Sequence, residues 1–305
     1  MKPIVKQSDK KAAFTIVELL TVMSIIIILI GLLVPALNRV RRYTRRVKQK
    51  AQFHSIEVAM ELFETEFDGY PNSDAKDENV ADYCGAMRLC EAMMGQDLLG
   101  FHPDSRFNDD DGTGVDELYP DDPPDITAPW YLANLKARKG PYLQLENANA
   151  YRVKNLYGGG NTGLLDEDRF VLCDEYKRVT LQSTGPEDSD IGGKTGMPIL
   201  YYRADTSKTS HNVDTPTDTE NIYNYEDNEE LVKLGLPWEP PPRTIDHPLY
   251  KDDMLASDWE RFYVDTKNDK ITTTSRPYRV DSYILISAGF DGEYGTPDDV
   301  FNFRN

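Results

Sequence analysis

Residues 19–38, LLTVMSIIIILIGLLVPALN, carry no charged side chain. At ~1.5 Å per helical residue such a run spans the ~30 Å hydrocarbon core of a bilayer. Both flanks are basic: Lys2, Lys6, Lys10 and Lys11 precede it, and Arg39, Arg41, Arg42, Arg45, Arg46, Lys48 and Lys50 follow it. The run is therefore a membrane span or a secretory signal, and Val34-Pro35-Ala36 offers a small residue where a signal peptidase would cut. Two features favour the span. The run is longer than the usual signal core of ~7–15 residues. Glu18 also sits at its start, and a lone carboxylate in an apolar span costs ~2.5–3.5 kcal/mol near the helix centre and less near the edge. Glu18 needs a partner.

Lys10-Lys11-Ala12-Ala13-Phe14-Thr15-Ile16-Val17-Glu18-Leu19-Leu20 resembles the prepilin cleavage and methylation motif of type IV pilin-like proteins, closest to the major pseudopilins of type II secretion systems. The resemblance implies a leader, residues 1–13, cut by a prepilin peptidase between Ala13 and Phe14, with N-methylation of the Phe14 amine. Phe14 and Glu18 match the family spacing, and Pro35 lies where the family's helix commonly kinks. Ala13 departs from the family, which usually has Gly there. The implied partners are copies of the chain, other pilin-like subunits, an inner-membrane assembly platform and the lipid bilayer. The Phe14 ammonium of one copy would pair with Glu18 of a neighbour, removing an uncompensated charge from the apolar core and setting axial register. The more basic flank follows the span, so the positive-inside rule alone predicts the opposite orientation. The motif decides here, because a leader must face a cytoplasmic-side peptidase. The implied location is the bacterial inner membrane, single-pass, with the outer domain in the periplasm.

Beyond the span the helical pattern continues. Val40, Tyr43 or Thr44, Val47, Ala51, His54, Val58 and Leu62 recur at three- and four-residue steps, and Phe53, Met60, Phe63 and Phe67 widen the apolar face where a domain would pack. Asp68-Gly69-Tyr70-Pro71 ends the helix, with Gly as its cap. The segments are thus residues 14–38 in the membrane, 39–68 as the outer half of the helix, and 69–305 as a globular pilin-like domain. Arg39–Lys50 reads as a stretch that snorkels at headgroups or pairs with acidic neighbouring subunits. The formal charge of the whole chain is -18, and residues 51–305 carry about -27 of it. Such a domain repels a nucleic-acid backbone, so no nucleic-acid partner is expected.

The architecture expected is α+β: a long N-terminal transmembrane helix packed on a small antiparallel sheet, with loop-rich insertions near 72–138 and 204–280. Val80–Met94 reads as a short amphipathic helix and Asn108–Glu117 as a solvated acidic loop. Lys139–Leu143 and Gly196–Tyr202 resemble further family landmarks, and Asp281–Gly289 reads as a strand. Cys84, Cys90 and Cys173 match no disulfide framework or zinc spacing and read as buried thiols.

Phe290-Asp291-Gly292-Glu293-Tyr294-Gly295-Thr296-Pro297-Asp298-Asp299-Val300 is a tight loop rich in hard oxygen donors, with no His or Cys inside it. It resembles the calcium-binding C-terminal loop of major pseudopilins. The resemblance implies Ca²⁺ held by Asp291 and by Asp298 or Asp299, with backbone oxygens of Ser287, Tyr294 and Thr296. The competing reading is a loop closed by Asx turns without metal.

No catalytic constellation stands out. His54, His102, His211 and His247 show no metal or triad spacing, and Gly158-Gly159-Gly160 lacks the Lys-Ser/Thr of a phosphate loop. The function expected is structural: a subunit of a type II secretion pseudopilus or pilus-like filament, and not an enzyme. Two rivals remain. One is an anchored acidic binding protein that uses the leader for sorting. The other is an anchored carbohydrate-active enzyme with paired carboxylates.

Overall fold

The computed structural model describes residues 15–74, 83–105, 107, 118–119, 126–183, 192–215, 217–243, 247, 249 and 260–304. The acidic loop 108–117 lies outside the described residues. Helix α1, Ile16–Phe67, is one continuous element with Pro35 inside it. Pro35 donates no backbone bond to the carbonyl one turn earlier, yet the helix runs through it. The chain divides into two units, residues 1–44 and 45–305.

In the first unit the side chains of α1 are solvent-exposed, including every large aliphatic residue from Ile16 to Val34. Among the described residues this is the single helix long and apolar enough to cross a membrane. Its polar side chains are satisfied locally. Thr21 Oγ1 donates to Val17 O at 3.0 Å, and Ser24 Oγ donates to Leu20 O at 2.8 Å. Hydroxyls bonded to their own helix enter lipid at little cost.

The second unit is built on a three-stranded antiparallel sheet in the order β5 (Leu200–Arg203), β6 (Tyr283–Ser287), β7 (Val300–Phe301). Leu200 pairs with Ile286, Tyr202 with Ile284 and Ile286 with Phe301. The pleat sends alternate residues to opposite faces. Ile199, Tyr201, Tyr283, Leu285 and Val300 pack in one cluster with Phe53, Ile56, Ala59, Met60 and Phe63 of α1. Leu200, Tyr202, Ile284, Ile286 and Phe301 pack in a second cluster with Tyr157, Tyr223, Leu231, Phe262, Tyr263 and Tyr294. Both faces of the sheet are covered, which explains why Tyr283–Ser287 shows no polar alternation. Two further two-stranded pairs complete the β structure: β1 (Ala150–Arg152) with β2 (Phe170–Leu172), and β3 (Val179–Thr180) with β4 (Lys194–Thr195). Three short helices flank β1 in sequence: α3 (Pro129–Ala137), α4 (Leu145–Ala148) and α5 (Val153–Tyr157).

Four expectations need correction. First, the stripe Val47, Ala51, His54, Val58 and Leu62 does not face the domain; it is exposed. The buried face is Gln49, Gln52, Phe53, Ile56, Ala59, Met60 and Phe63, because the aromatic and long side chains fill more of the core. Gln52 Nε2 donates to Cys173 O at 2.8 Å, and Gln49 Oε1 accepts from Glu175 N at 2.9 Å. The two glutamines thus satisfy loop backbone within the interface, as buried polar groups must.

Second, the left-handed residue at the end of α1 is Asp68 (φ 58°) rather than Gly69. Asp tolerates that region better than most side chains. Third, the amphipathic helix expected over Val80–Met94 is α2, Gly85–Met94, and all ten of its residues are buried. It is a core element lying against β2 and β5. Fourth, the described parts of 204–280 are loop-rich as expected, but they are not an appendage outside the core. They supply a 3-10 turn at Tyr225–Asn228, α6 (Glu229–Lys233) and α7 (Glu260–Thr266), and their tyrosines enter the core. Cys84, Cys90 and Cys173 are free and buried, as the spacing suggested.

Candidate assembly segment and acidic C-terminal loop

Ala13 and Phe14 lie outside the described residues. Glu18 is described, and it carries a local role that the sequence reading missed. Thr15 N and Thr15 Oγ1 both donate to Glu18 Oε2, at 2.9 and 2.8 Å, and Glu18 N donates to Thr15 Oγ1 at 3.2 Å. This reciprocal pattern is a capping box, written in the sequence as Thr15-x-x-Glu18. Both bonds to the carboxylate use Oε2. Among the described residues Oε1 takes no hydrogen bond, so the cap leaves one oxygen for a donor from outside the chain.

In the second unit, Arg45 Nη1 donates to Tyr176 O at 2.7 Å and its guanidinium lies over the Phe290 ring. One member of the basic stretch is therefore a packing residue, neither at headgroups nor at a neighbour. Glu57 accepts from Arg279 Nη2 at 2.6 Å and from Asn302 Nδ2 at 3.1 Å, tying α1 to the end of the sheet.

The C-terminal loop follows β6. Gly289 (φ 69°) begins it, and a Cβ there would meet Asp298 O at 2.4 Å, so only glycine fits. Asp298 closes the loop. Its Oδ2 accepts from Phe290 N at 2.6 Å and Asp291 N at 3.1 Å, and its Oδ1 accepts from Thr296 Oγ1 at 2.7 Å. Asp291 Oδ1 accepts from Glu293 N at 2.9 Å, and its carboxyl faces that of Asp298 closely enough for each to perturb the other's titration. Two carboxylates in contact resist ionising together, so one of them releases its proton late. Burial and the bond to Asp298 push Asp291 up to about 6. Burial raises Asp298 too, but the bonds from Asp291, Thr296 and the backbone amides outweigh it and hold that acid low. Below about pH 6 the pair's proton therefore sits on Asp291 while Asp298 stays ionised.

Asp299 is separate. Gly295 N donates to its Oδ2 at 2.7 Å, while its Oδ1 is buried with no partner. Burial raises its pKa well above the carboxylate range. Tyr294 turns into the core, its hydroxyl donating to Pro198 O at 2.5 Å and its amide to His247 Nδ1 at 3.2 Å. Ser287 Oγ donates to Asp174 Oδ2 at 2.8 Å. Asp174 is wholly buried and burial pushes it up to about 7. Neither Asp174 nor His247 was singled out by sequence, since nothing in their neighbours marks them as approaching this loop.

The structure thus brings Asp291, Asp298 and Thr296 together and sets Asp299, Tyr294 and Ser287 on their own partners. Among the described residues no three His, Cys, Asp or Glu side chains form a group that would hold a metal ion. Asp298 already accepts the loop's own donors on both oxygens. The donor chemistry remains that of a hard cation, and the orphaned Asp299 Oδ1 lacks the donor or cation it requires. Comparison with family models, curated proteins and solved structures found no match.

Proposed function

We propose that the chain is a membrane-anchored structural subunit that assembles into a pseudopilus or pilus-like filament, and that it has no catalytic role. The observation that carries this reading is Glu18: one carboxylate at the start of a bare, exposed apolar helix, with Oε1 left outside the cap. A carboxylate placed there is costly in lipid unless a neighbour supplies a cation. In this reading a prepilin peptidase removes residues 1–13, and the new Phe14 amine of an adjoining copy is that cation. The inner-membrane assembly platform and other pilin-like subunits are its further partners, and the outer domain lies in the periplasm.

Replacing Glu18 by Gln keeps an oxygen for the Thr15 donors and removes the charge. We expect E18Q to insert and accumulate normally while filaments disappear. Normal filaments from E18Q, or a mature chain that still begins at Met1, would overturn the reading. N-methyl-Phe14 in the mass spectrum of the mature N-terminus supports it, whereas a mature N-terminus at Leu37 would indicate ordinary signal cleavage.

Calcium belongs to the same proposal. Asp291, Asp298 and Asp299 would supply carboxylates, and carbonyl oxygens of Ser287, Tyr294 and Thr296 the neutral ligands. The cation would supply charge neutralisation, taking the place of the proton that Asp291 loses above about pH 6.

A further inference from the structure

The chain between β5 and α6 folds around an open polar groove. Two adjoining cavities, about 280 and 260 Å³ in volume, meet at Lys208, Asn221 and Asn224. Backbone bonds fix the shape of the groove. Asp205 N donates to Ile222 O at 2.8 Å, Ile222 N to Ser210 O at 3.0 Å and Ser210 N to Glu220 O at 3.0 Å. Asn221 ties the turns together, accepting from Asn212 N at 2.7 Å and donating to Thr215 O at 3.3 Å. Ser73 is anchored beneath: its hydroxyl accepts from Arg203 N at 2.9 Å and donates to the buried Asp227 carboxyl. A groove already fixed in this way costs a ligand little ordering of the protein.

The carboxylates of the groove are engaged with their own chain. Asp205 Oδ1 accepts from Ser207 N at 3.0 Å, Asp218 Oδ1 from Glu220 N at 3.0 Å and Asp74 Oδ2 from Asn72 Nδ2 at 2.6 Å. The cations are not so engaged. Arg203 is exposed, and among the described residues its guanidinium takes no hydrogen bond or ion pair. Lys208 Nζ lies 3.7 Å from Asp205 Oδ2, beyond the ~2.7–2.9 Å of a charge-assisted bond. Both cations line the first cavity. The hydroxyls of Thr206, Thr217 and Thr219 and the amide nitrogen of Asn224 also line the groove without a partner among the described residues. The rings of Tyr225 and Tyr263 wall the second cavity.

We propose that this groove binds a short oligosaccharide carrying one uronic acid, with the carboxylate at Arg203 and Lys208 and the hydroxyls along Thr206, Asn224, Thr217 and Thr219. A sugar hydroxyl both donates and accepts, as the free threonine hydroxyls do. A planar carboxylate matches the guanidinium fork. The C–H face of a ring suits a tyrosine wall. Each cavity lies near the ~300 Å³ lower end of ligand sites, so the groove suits a few rings and modest affinity. Other ligand classes fit worse. An apolar molecule would leave the polar lining unpaired. A nucleic acid is repelled by the acidic domain. An extended peptide finds no free strand edge, because on β5 Arg203 N is taken by Ser73 Oγ and Tyr201 O accepts from Asn228 Nδ2 at 2.8 Å. The site is independent of Glu18 and does not rest on the filament reading.

The test uses the full-length chain in a polyoxyethylene detergent, because sugar-based detergents would compete. The probes are trisaccharides ending in one glucuronate or galacturonate, the same trisaccharides with that carboxyl reduced to an alcohol, and a tripeptide with a free C-terminal carboxylate. Saturation-transfer NMR titrations are expected to show a uronate trisaccharide binding at roughly millimolar strength or better, and its reduced counterpart at least ~ten-fold more weakly. Arg203→Gln should bring the uronate down to the level of the reduced sugar and leave the reduced sugar unchanged, which a misfolded variant would not do. T217V/T219V should weaken both sugars, with melting curves like the parent's. No uronate trisaccharide bound at millimolar concentration overturns the proposal. So does equal binding of the uronate and reduced sugars, or an Arg203→Gln chain that binds the uronate as the parent does. A tripeptide bound as well as the uronate sugar shows a general carboxylate site and also overturns it. Arg203→Gln is expected to assemble normally, so failure of this site and failure of the filament reading are told apart.

Discussion

At the scale of single residues, the tightest backbone position among the described glycines is Gly196. A Cβ built there would lie 1.7 Å from Asp174 Oδ1 and 2.3 Å from Asp174 O. The carboxyl cannot withdraw, because it accepts from Tyr176 N at 3.1 Å and from Ser287 Oγ. Gly196→Ala is expected to cost at least about 1–3 kcal/mol, the usual range for overpacking, measured by thermal or denaturant unfolding. A variant as stable as the parent would show that the Asp174 carboxyl is mobile. Asp174 itself makes a second claim. Its pKa is raised by burial to about 7, so the folded chain keeps a proton that the unfolded chain has lost above about pH 4. Asp174→Asn keeps the oxygen for Tyr176 N and removes the titration. The slope of melting temperature against pH between 4 and 7 is expected to change upward in the variant, with less stability lost on going to pH 7. An unchanged slope would mean that the acid is ionised throughout.

At the scale of elements, the two sides of α1 in the second unit make a controlled comparison. Phe63 is buried against Phe67, Phe101 and Tyr142, with ring centroids 4.5, 5.3 and 5.8 Å away. Its neighbour Leu62 is exposed. Phe63→Ala is expected to cost about 3–5 kcal/mol, and Leu62→Ala to stay within about 0.5 kcal/mol, in the unassembled chain. Comparable losses at the two sites would reverse the assignment of faces. Periodicity could not make that assignment, since both stripes repeat at three and four residues. The buried stripe contains Gln49 and Gln52, whose backbone partners lie in loops more than a hundred positions away. The strand at 283–287 was legible because β-branched and aromatic residues dominate it, and the long helix because no breaker follows Pro35. The role of α2 was not legible. A buried arginine and glutamate gave it a false polar face: Arg88 lies over Tyr83 and Phe107, and Glu91 accepts from Tyr83, Gln96 and Ser105. At the candidate sites, the clustering of Asp291 with Asp298 followed from the two glycines, while the cap on Glu18 was present in the sequence and went unread.

At the scale of the whole molecule, the acidic composition becomes a statement about pH. Glu91, Asp174, Asp227, Asp291 and Asp299 all have raised pKa values, in each case first through burial. A raised carboxyl holds its proton in the folded state after the unfolded chain has released it, so stability falls as pH rises through that window. His102 and His211 work the other way, because burial lowers them, His211 to about 4. Their contribution is complete once the free imidazole value of 6.5 is passed. Above about pH 6.5 the carboxyls alone set the sign, and repulsion within a domain of about -27 adds to it. The full-length chain in detergent with chelator is therefore expected to melt at a lower temperature at pH 7.5 than at pH 6.5. Calcium should act where the Asp291 proton is lost. Near pH 5, below the value of about 6 for Asp291, the proton already removes one of the pair's two charges and CaCl2 has less to replace. At pH 7.5 the pair is short of positive charge and the Asp299 oxygen is unsatisfied, so CaCl2 is expected to raise the melting temperature clearly more than an equal ionic strength of NaCl. Asp291→Asn removes one of the paired charges and should shrink that calcium shift while improving stability in chelator. A melting curve at pH 7.5 that ignores both calcium and chelator would remove the cation from the proposal and leave the hydrogen-bonded loop as the complete account of these residues.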